Sequence, residues 1–312
     1  MNVVVTGAAG FIGSHLSAAL VSTGSEVRGI DSLDGTLYPR QAKVKNLGRI
    51  PENGRFSFYE ENLSEGEVGE HVAWADVVVH AAALPGLVFS WQHFDKYVDS
   101  NLRATRSLLE ALRRNPMTHL VFASTSSVYG RFASGDEHTQ LKPVSPYGVT
   151  KLAAENLVEA YRANFGVSAT VLRYFSVYGP GQRPDMAYAK FCRLLIEGSE
   201  LNLTGDGTQS RSNTYISDAI EATLVAVDRQ IDGLTANICG NDVISLNEAV
   251  SVLAANLGVR PKLTYVDSVP GDQYETRGDA SLAREQLGWT PRVTIHEGLK
   301  AQAEAALASQ GL

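Results

Sequence analysis

Val3-Val4-Val5-Thr6-Gly7-Ala8-Ala9-Gly10-Phe11-Ile12-Gly13 is the stretch from which the fold class of this chain is read. Three β-branched residues in a row suit a strand buried on both faces of a parallel sheet. The glycine-rich segment follows without a break, and Ser14 to Val21 then reads as a helix. Gly7, Gly10 and Gly13 permit a tight turn, close approach of backbone to a pyrophosphate, and close contact between helix and sheet. The start of that helix would face the phosphates. A glycine-rich segment alone can be a structural turn, and the pattern here is G-x-x-G-x-x-G rather than the commoner G-x-G-x-x-G. Its place between a strand and a helix favours nucleotide binding.

Working outward, Glu26 to Ile30 reads as a second strand ending at Asp31, 18 residues past Gly13. An acidic residue about 20 positions on binds the adenosine ribose hydroxyls. Its charge would repel a 2′-phosphate, so NAD is expected over NADP. The plain alternative is a turn aspartate, since Ser32-Leu33-Asp34-Gly35 is turn-like. Phe56 to Tyr59 precedes Glu61-Asn62-Leu63, an adenine-side loop. Asp76 to His80 is another buried strand, and Ala81-Ala82-Ala83 after it leave room for a cofactor. His80 reads as a packed residue at the strand end rather than a catalyst.

Asp99 to Arg114 is expected to be helical, with Leu102, Leu108, Leu109 and Leu112 on one side. Leu120 to Ala123 is the next strand, delivering Ser124-Thr125-Ser126-Ser127-Val128-Tyr129-Gly130. Hydroxyls at that edge sit where open α/β sheets bind ligands, although such a run can also be a polar turn. Ser168 to Arg173 is a further strand. The alternation of strands and helices predicts a doubly wound parallel sheet, a Rossmann-like α/β fold.

Ser145-Pro146-Tyr147-Gly148-Val149-Thr150-Lys151 carries the chemistry. Pro146 suits a helix start, and Tyr147 and Lys151 share one helical face. A phenol titrates near pH 10, and a neighbouring ammonium favours the phenolate, making Tyr147 a usable proton acceptor. Without context the favoured reading of the pair is a solvated Tyr and Lys on a surface helix.

Beyond Tyr174 the texture changes. Gly179 to Pro184 is loop, Met186 to Glu197 is helical, and Gly205 to Arg211 is a polar turn. Ser245-Leu246-Asn247-Glu248 has capping-box spacing before a helix ending near Gly258, and Asp279 opens another with Gly288 past its end. Residues 1–173 are read as the nucleotide-binding domain, with 207–240 returning to it. Residues 174–312 form mainly a smaller substrate-binding lobe.

The 312 residues, 44% hydrophobic and 20% charged, are ordinary for a globular chain, and the net charge of −7 argues against nucleic-acid or membrane-surface binding. Cys192 and Cys239 lack metal-ligand spacing, so no metal is expected. Few cysteines and no basic leader before the first strand lead us to expect the cytoplasm.

Together these features resemble the extended short-chain dehydrogenase/reductase family, in its NAD-dependent sugar-nucleotide epimerase/dehydratase branch. The similarity runs through Thr6-Gly7-x-x-Gly10-x-x-Gly13, Asp31, His80-Ala81-Ala82, Asn101, Ser124-Thr125, Val128-Tyr129-Gly130, Tyr147-x-x-x-Lys151, Arg173-Tyr174-Phe175 and Val177-Tyr178-Gly179-Pro180. It implies NAD held by Gly7, Gly10, Phe11, Ile12, Gly13, Asp31, Ser32, Asn62, Leu63, Ala81, Ala82, Ala83, Asn101, Tyr147, Lys151 and Tyr174. It also implies oxidation at C4 of a nucleoside diphosphate hexose, with Tyr147 taking the O4 proton and Lys151 on the nicotinamide ribose, depressing the Tyr147 pKa. Thr125 matches a residue that hydrogen-bonds O4, with Ser124 beside it.

Similar dehydratases carry Asp-Glu after the threonine, and similar decarboxylases keep a glutamate there. This chain has Ser126-Ser127, which leaves 4-epimerisation. Arg183-Pro184-Asp185-Met186-Ala187 looks like the UDP-glucuronate 4-epimerases. That resemblance puts the C6 carboxylate among Thr125, Ser126, Ser127 and Ser176, with Arg183 as the charged alternative. Arg211 matches a diphosphate-binding arginine, Asp272 a uridine-ribose residue, and Arg277 is a further phosphate candidate; surface roles remain open for the last two. Ser212 stands where the family usually has Asp, and Ser176 where galactose-type epimerases usually have asparagine. The rival readings are a UDP-glucose/UDP-galactose 4-epimerase, a UDP-glucuronate decarboxylase, and a non-catalytic NAD sensor. The resemblance further implies a homodimer paired through the Asp99–Arg114 helix and the helix after Tyr147.

Overall fold

The apolar β-branched runs become the inner strands of one seven-stranded sheet. In the computed structural model, which describes residues 1–267, 271 and 273–310, these are β1 (Asn2–Thr6), β2 (Glu26–Asp31), β3 (Phe56–Glu60), β4 (Val77–His80), β5 (His119–Thr125), β6 (Ala169–Tyr174) and β7 (Thr235–Ile238). Their order is β7-β6-β5-β4-β1-β2-β3, and every neighbouring pair is parallel. The order reverses between β1 and β4, which opens a crevice beyond their C-terminal ends, the usual ligand position in such sheets.

Helices cover both faces. Val3 and Val5 pack with α1 (Phe11–Ser22) and with α4 (Ile216–Arg229), while Val4 packs on the other side with α2 (Ala104–Arg113) and α3 (Pro146–Phe165). This split follows from the two-residue period of a strand. A third core of Phe191, Leu195, Leu201, Leu203, Leu253 and Leu299 lies beneath the helices Ala187–Ile196, Leu246–Leu257 and Ile295–Ser309. The capping box at Ser245 and Glu248 is made in both directions, and Gly258 and Gly288 end their helices in the left-handed conformation.

Three expected boundaries move. Helix α1 starts at Phe11, because the glycine loop itself runs into the first turn. The segment before α2 is a π-turn, Val98–Arg103, rather than α-helix. Inside it the Asn101 side chain bonds Leu84 N, Leu84 O and Thr150 Oγ1, tying the turn to the chain after β4. The helix expected at Asp279 begins at Ser281, whose N–H the Asp279 carboxylate accepts at 2.8 Å. Among the described residues no helix is long and apolar enough to cross a membrane, and no group of three or more His, Cys, Asp or Glu is placed to hold a metal ion.

Candidate active site

The glycine loop is built for backbone proximity. Gly7 has φ +72°, and a Cβ there would lie 2.8 Å from Ala82 N. A Cβ on Gly13 would lie 2.1 Å from Gly7 O, so the loop closes over the helix start only without side chains. Gly10 caps α1 with no side-chain hydrogen bond, and the first turn carries no acidic residue. Those amides and the positive end of the helix dipole are left for an anion.

Asp31 ends β2 with its carboxylate directed back into this loop. Oδ2 accepts Ala9 N at 3.2 Å, and Oδ1 accepts Leu33 N at 2.8 Å and pairs with Lys43 at 3.2 Å. Lys43 was not anticipated, because 12 residues and a turn separate it from Asp31. Across the switch point, Ala81, Ala82 and Ala83 are half-buried, and Ala82 N donates to Thr6 Oγ1 at 3.2 Å. Thr6 also bonds His80 Nδ1 at 2.7 Å, and His80 Nε2 meets Thr105 at 3.0 Å. Burial pulls His80 down to about 3, so it stays neutral and positions these loops. Leu63 is buried beside the loop, where Asn62 Oδ1 accepts Ser64 N; Ser32, exposed, accepts Asp34 N. An uncapped helix start, side-chain-free backbone, a carboxylate at the end of β2 and small alanines after β4 are a donor set that fits a dinucleotide.

Tyr174 departs from its expected role. Its ring is buried in the sheet core and its hydroxyl bonds Thr223 Oγ1 of α4 at 2.7 Å, so the side chain is spent on packing. Asn101 likewise spends its side chain on holding Leu84 and Thr150 of α3.

On the other side of the crevice, Ser145 caps α3 by accepting Gly148 N at 3.1 Å, with Pro146 in the first turn. Tyr147 lies in the first turn of α3, with the Thr125 hydroxyl of β5 as a polar neighbour of its phenol. Desolvation pushes the phenol above its ordinary value, opposed by the neighbouring Thr125 hydroxyl and by the charge of Arg183. Lys151 is buried, donates to Ala123 O at 2.7 Å and lies 4.2 Å over the Phe122 ring. Burial pulls its ammonium down to about 8, against the attraction of Glu155. The ammonium expected to serve Tyr147 is thus anchored on the end of β5.

Ser124 also departs from expectation. It precedes Thr125 on a strand and therefore points the other way. Its hydroxyl donates to Glu155, which forms a buried ion pair with Arg173 at 2.8 Å. Arg173 in turn donates to the Tyr129 hydroxyl at 2.9 Å. Ser124 is therefore a positioning group behind α3, not a partner of Tyr147. Glu155, one helical turn past Lys151, could have been found from that spacing.

Thr125 Oγ1 accepts Ser127 N and donates to Ser127 Oγ, both at 3.2 Å. Ser126 and Ser127 are buried, and Ser176, half-buried, has its carbonyl on Thr214 N at 3.3 Å. Arg183 is held bidentately by Asp185 at 3.0 and 2.7 Å. Arg211 donates to the carbonyls of Ser210 at 2.9 Å, Tyr274 at 3.1 Å and Gln273. Asp272 lies outside the described residues. Arg277 is not brought to the crevice around Tyr147. Thr276 points into the fold, so Arg277 next to it points out, lining a surface concavity with Gly135, Asp279 and Arg284.

Comparison with known proteins agrees with this geometry. Residues 3–239 match the model of the NAD dependent epimerase/dehydratase family. The chain is 41% identical over 303 residues to a protein of Bacillus subtilis (strain 168) named Uncharacterized UDP-glucose epimerase YtcB, covering 96% of each. It is 34% identical over 304 residues to the UDP-glucuronate 4-epimerase of Thermodesulfobacterium geofontis (strain OPF15), covering 95% of this chain and 93% of that one. The crystal structure of UDP-glucuronic acid 4-epimerase from Bacillus cereus, in complex with UDP-glucuronic acid and NAD, superposes with a TM-score of 0.95 at 38% identity, over 99% of this chain and 100% of that one. With its switch-point crevice, its glycine loop and its Tyr147–Thr125 contact, the chain belongs to the NAD dependent epimerase/dehydratase family.

Proposed function

We propose that this protein is an NAD-dependent UDP-glucuronate 4-epimerase, interconverting UDP-glucuronate and UDP-galacturonate through a transient 4-keto sugar. The observation that carries the reading is the run Thr125-Ser126-Ser127 at the end of β5, buried and without a carboxylate, with Tyr147 and Lys151 on the facing helix. Gly7, Gly10, Phe11, Ile12, Gly13 and Asp31 would hold the cofactor from one side, and Ala81–Ala83 and Lys151 from the other. When bound, NAD supplies the two-electron acceptor and donor at C4. Tyr147 takes the proton from O4 and returns it to the epimeric alcohol, and Thr125 orients that oxygen. Acid/base work at C5 and C6 has no carboxylate at Ser126-Ser127 to perform it, which weighs against dehydration.

Neutral hydroxyls of Thr125, Ser126, Ser127 and Ser176 would receive the C6 carboxylate. The bidentate hold of Asp185 on Arg183 supports this, because the guanidinium already has a carboxylate. Hydrogen bonds to a charged group contribute roughly 1.5–3 kcal/mol each, so two of them separate UDP-glucuronate from UDP-glucose by about 10²-fold in kcat/KM. The second reading, a UDP-glucose 4-epimerase, is favoured by the name of the 41% identical Bacillus subtilis relative. Incubation with both sugars, with products resolved by chromatography, decides between them; equal turnover replaces the acid-sugar reading with the neutral one. Arg183→Ala should slow both substrates and spare the preference.

The reading includes a division into a nucleotide-binding unit, residues 1–173 with 207–240, and a substrate lobe formed mainly by 174–312, where Arg211 would meet the diphosphate. It also includes a cytoplasmic homodimer. Val149 and Phe165 of α3 are exposed apolar residues on the helix expected to pair. A monomer mass independent of concentration in solution scattering would remove the dimer.

A further inference from the structure

Arg49 follows the helix Arg40–Leu47 and reaches back toward the glycine loop. Its Nη1 donates to Asn46 Oδ1 at 2.8 Å and to Ser14 Oγ of α1 at 3.4 Å. Asn46 is buried, and its Nδ2 donates to Ala9 O, inside the glycine loop, at 3.0 Å. Arg49 Nη2 lies against Gly181, in the loop after the short strand Val177–Tyr178. A Cβ on Gly181 would fall 2.1 Å from that nitrogen, so only bare main chain fits beside it, and the φ of +84° there suits glycine. The guanidinium is thus held between α1 and a loop that follows the nucleotide-binding strands.

Its charge is not matched within the chain. Lys43 pairs with Asp31, Arg183 with Asp185 and Arg173 with Glu155. Among the described residues Arg49 forms no ion pair, and both of its side-chain hydrogen bonds go to neutral oxygens. Burial pulls the guanidinium below its ordinary value, with no carboxylate in opposition. A partly desolvated cation without a counter-charge costs free energy that an anionic ligand offsets. Beside it, α1 opens with no side-chain cap and no acidic residue in its first turn. Two independent features therefore favour negative charge in one region: the positive end of a helix dipole, and an unpaired guanidinium clamped on Ser14 of the same helix.

We propose that Arg49 is a cofactor-binding residue whose partner is the pyrophosphate of the bound dinucleotide, and that Gly181 lacks a side chain so that its loop can hold the guanidinium in place. The inference rests on the cofactor reading above and adds to it a charged contact outside the glycine loop. It also gives the loop after Val177–Tyr178 a part in retaining the cofactor. The dinucleotide is favoured over the sugar nucleotide because Arg49 is fixed on α1 and, through Asn46, on Ala9.

The test is binding by the full chain freed of nucleotide, measured by calorimetry with NAD, ADP, adenosine and UDP. Arg49→Gln should weaken NAD and ADP by about 10–100-fold and leave adenosine and UDP within about twofold. Arg49→Lys should recover part of the loss, since an ammonium supplies the charge without the planar fork. Gly181→Ala keeps Arg49 but fills the space at its Nη2, and should weaken ADP relative to adenosine as well. The ADP affinity of the wild type should fall more steeply with salt than that of Arg49→Gln. If Arg49 serves only to hold Asn46 and Ala9, adenosine and ADP weaken together. That result, or an unmoved ratio of ADP to adenosine affinity, overturns the proposal. Loss of UDP in place of ADP overturns it too, and assigns the guanidinium to the sugar nucleotide. If circular dichroism finds Arg49→Gln unfolded, Arg49→Lys and Gly181→Ala decide by the same ratio. A wild-type chain that binds neither NAD nor ADP removes the cofactor reading together with this one. A wild type that binds both, with the ratio unmoved in the variants, removes only the role of Arg49.

Discussion

Gly7–Gly13 after β1 and Ser124–Ser127 at the end of β5 occupy the same edge of the same sheet, and they work by different means. The glycine loop acts through backbone: a Cβ at Gly7 or Gly13 would collide with neighbouring main chain, and no side chain caps α1. The hydroxyl run acts through side chains, and neighbours in sequence have opposite fates. Ser124 is spent on Glu155 behind α3, while Thr125 meets Tyr147 in the crevice. A stretch that works through its backbone can be read position by position, whereas one that works through side chains depends on what each face of the strand meets.

The largest expected effect tests whether the chemistry resides on the side-chain half. Tyr147→Phe should lower kcat by about 10³–10⁴-fold while retaining NAD, since the hydroxyl is the proton acceptor and the cofactor loop is untouched. Loss of bound NAD along with activity, measured after denaturation and release, would merge the two regions into one.

The next effect sharpens the contrast within the hydroxyl run. Thr125→Val should lower kcat by about 10²-fold with little change in melting temperature. Ser124→Ala should do the reverse, because it strips a donor from the buried Glu155–Arg173 pair and costs about 1–3 kcal/mol of stability. Kinetics and thermal unfolding of the two variants, side by side, check this; matching losses of kcat would show the run acting as a unit.

The smallest expected effect belongs to the cofactor half. The wild-type protein should prefer NAD to NADP by at least about tenfold, or about 1.4 kcal/mol, and Asp31→Ser should remove most of that preference. Asp31 also pins Ala9 and Leu33, so the ratio of the two affinities is the informative quantity. Lys43 at 3.2 Å tempers the repulsion of a 2′-phosphate, and Lys43→Ala should widen the preference. Calorimetric titration of both dinucleotides gives the ratios.

Much of the cofactor side was legible before the fold was known. The strand, the glycines, Asp31 and the three alanines after β4 are contiguous or regularly spaced, and their placement follows from one parallel sheet. The substrate side was legible only in part. Arg277 and Ser124 carry suitable groups, yet alternation along a strand turns both away. Tyr174 lies at a sheet end near the crevice, yet its hydroxyl faces α4. Lys43, Tyr38 and Tyr97 left no local signal, because what they meet, Asp31, Arg183 and Tyr147, lies well away along the chain.

By itself, then, the sequence determined the doubly wound sheet, the glycine loop and the Tyr147–Lys151 turn, because hydrophobic period, glycine spacing and helical phase are local properties of the chain. Only the tertiary structure decided what each charged group meets. Lys151 is one turn from Tyr147 by sequence, but its ammonium is anchored on Ala123 O. Arg183 is 36 residues from Tyr147 along the chain, and folding nearly buries it beside the Tyr38 ring with Asp185 as its carboxylate partner. Electrostatic influence depends on distance and burial in space, and neither is encoded by spacing along the chain.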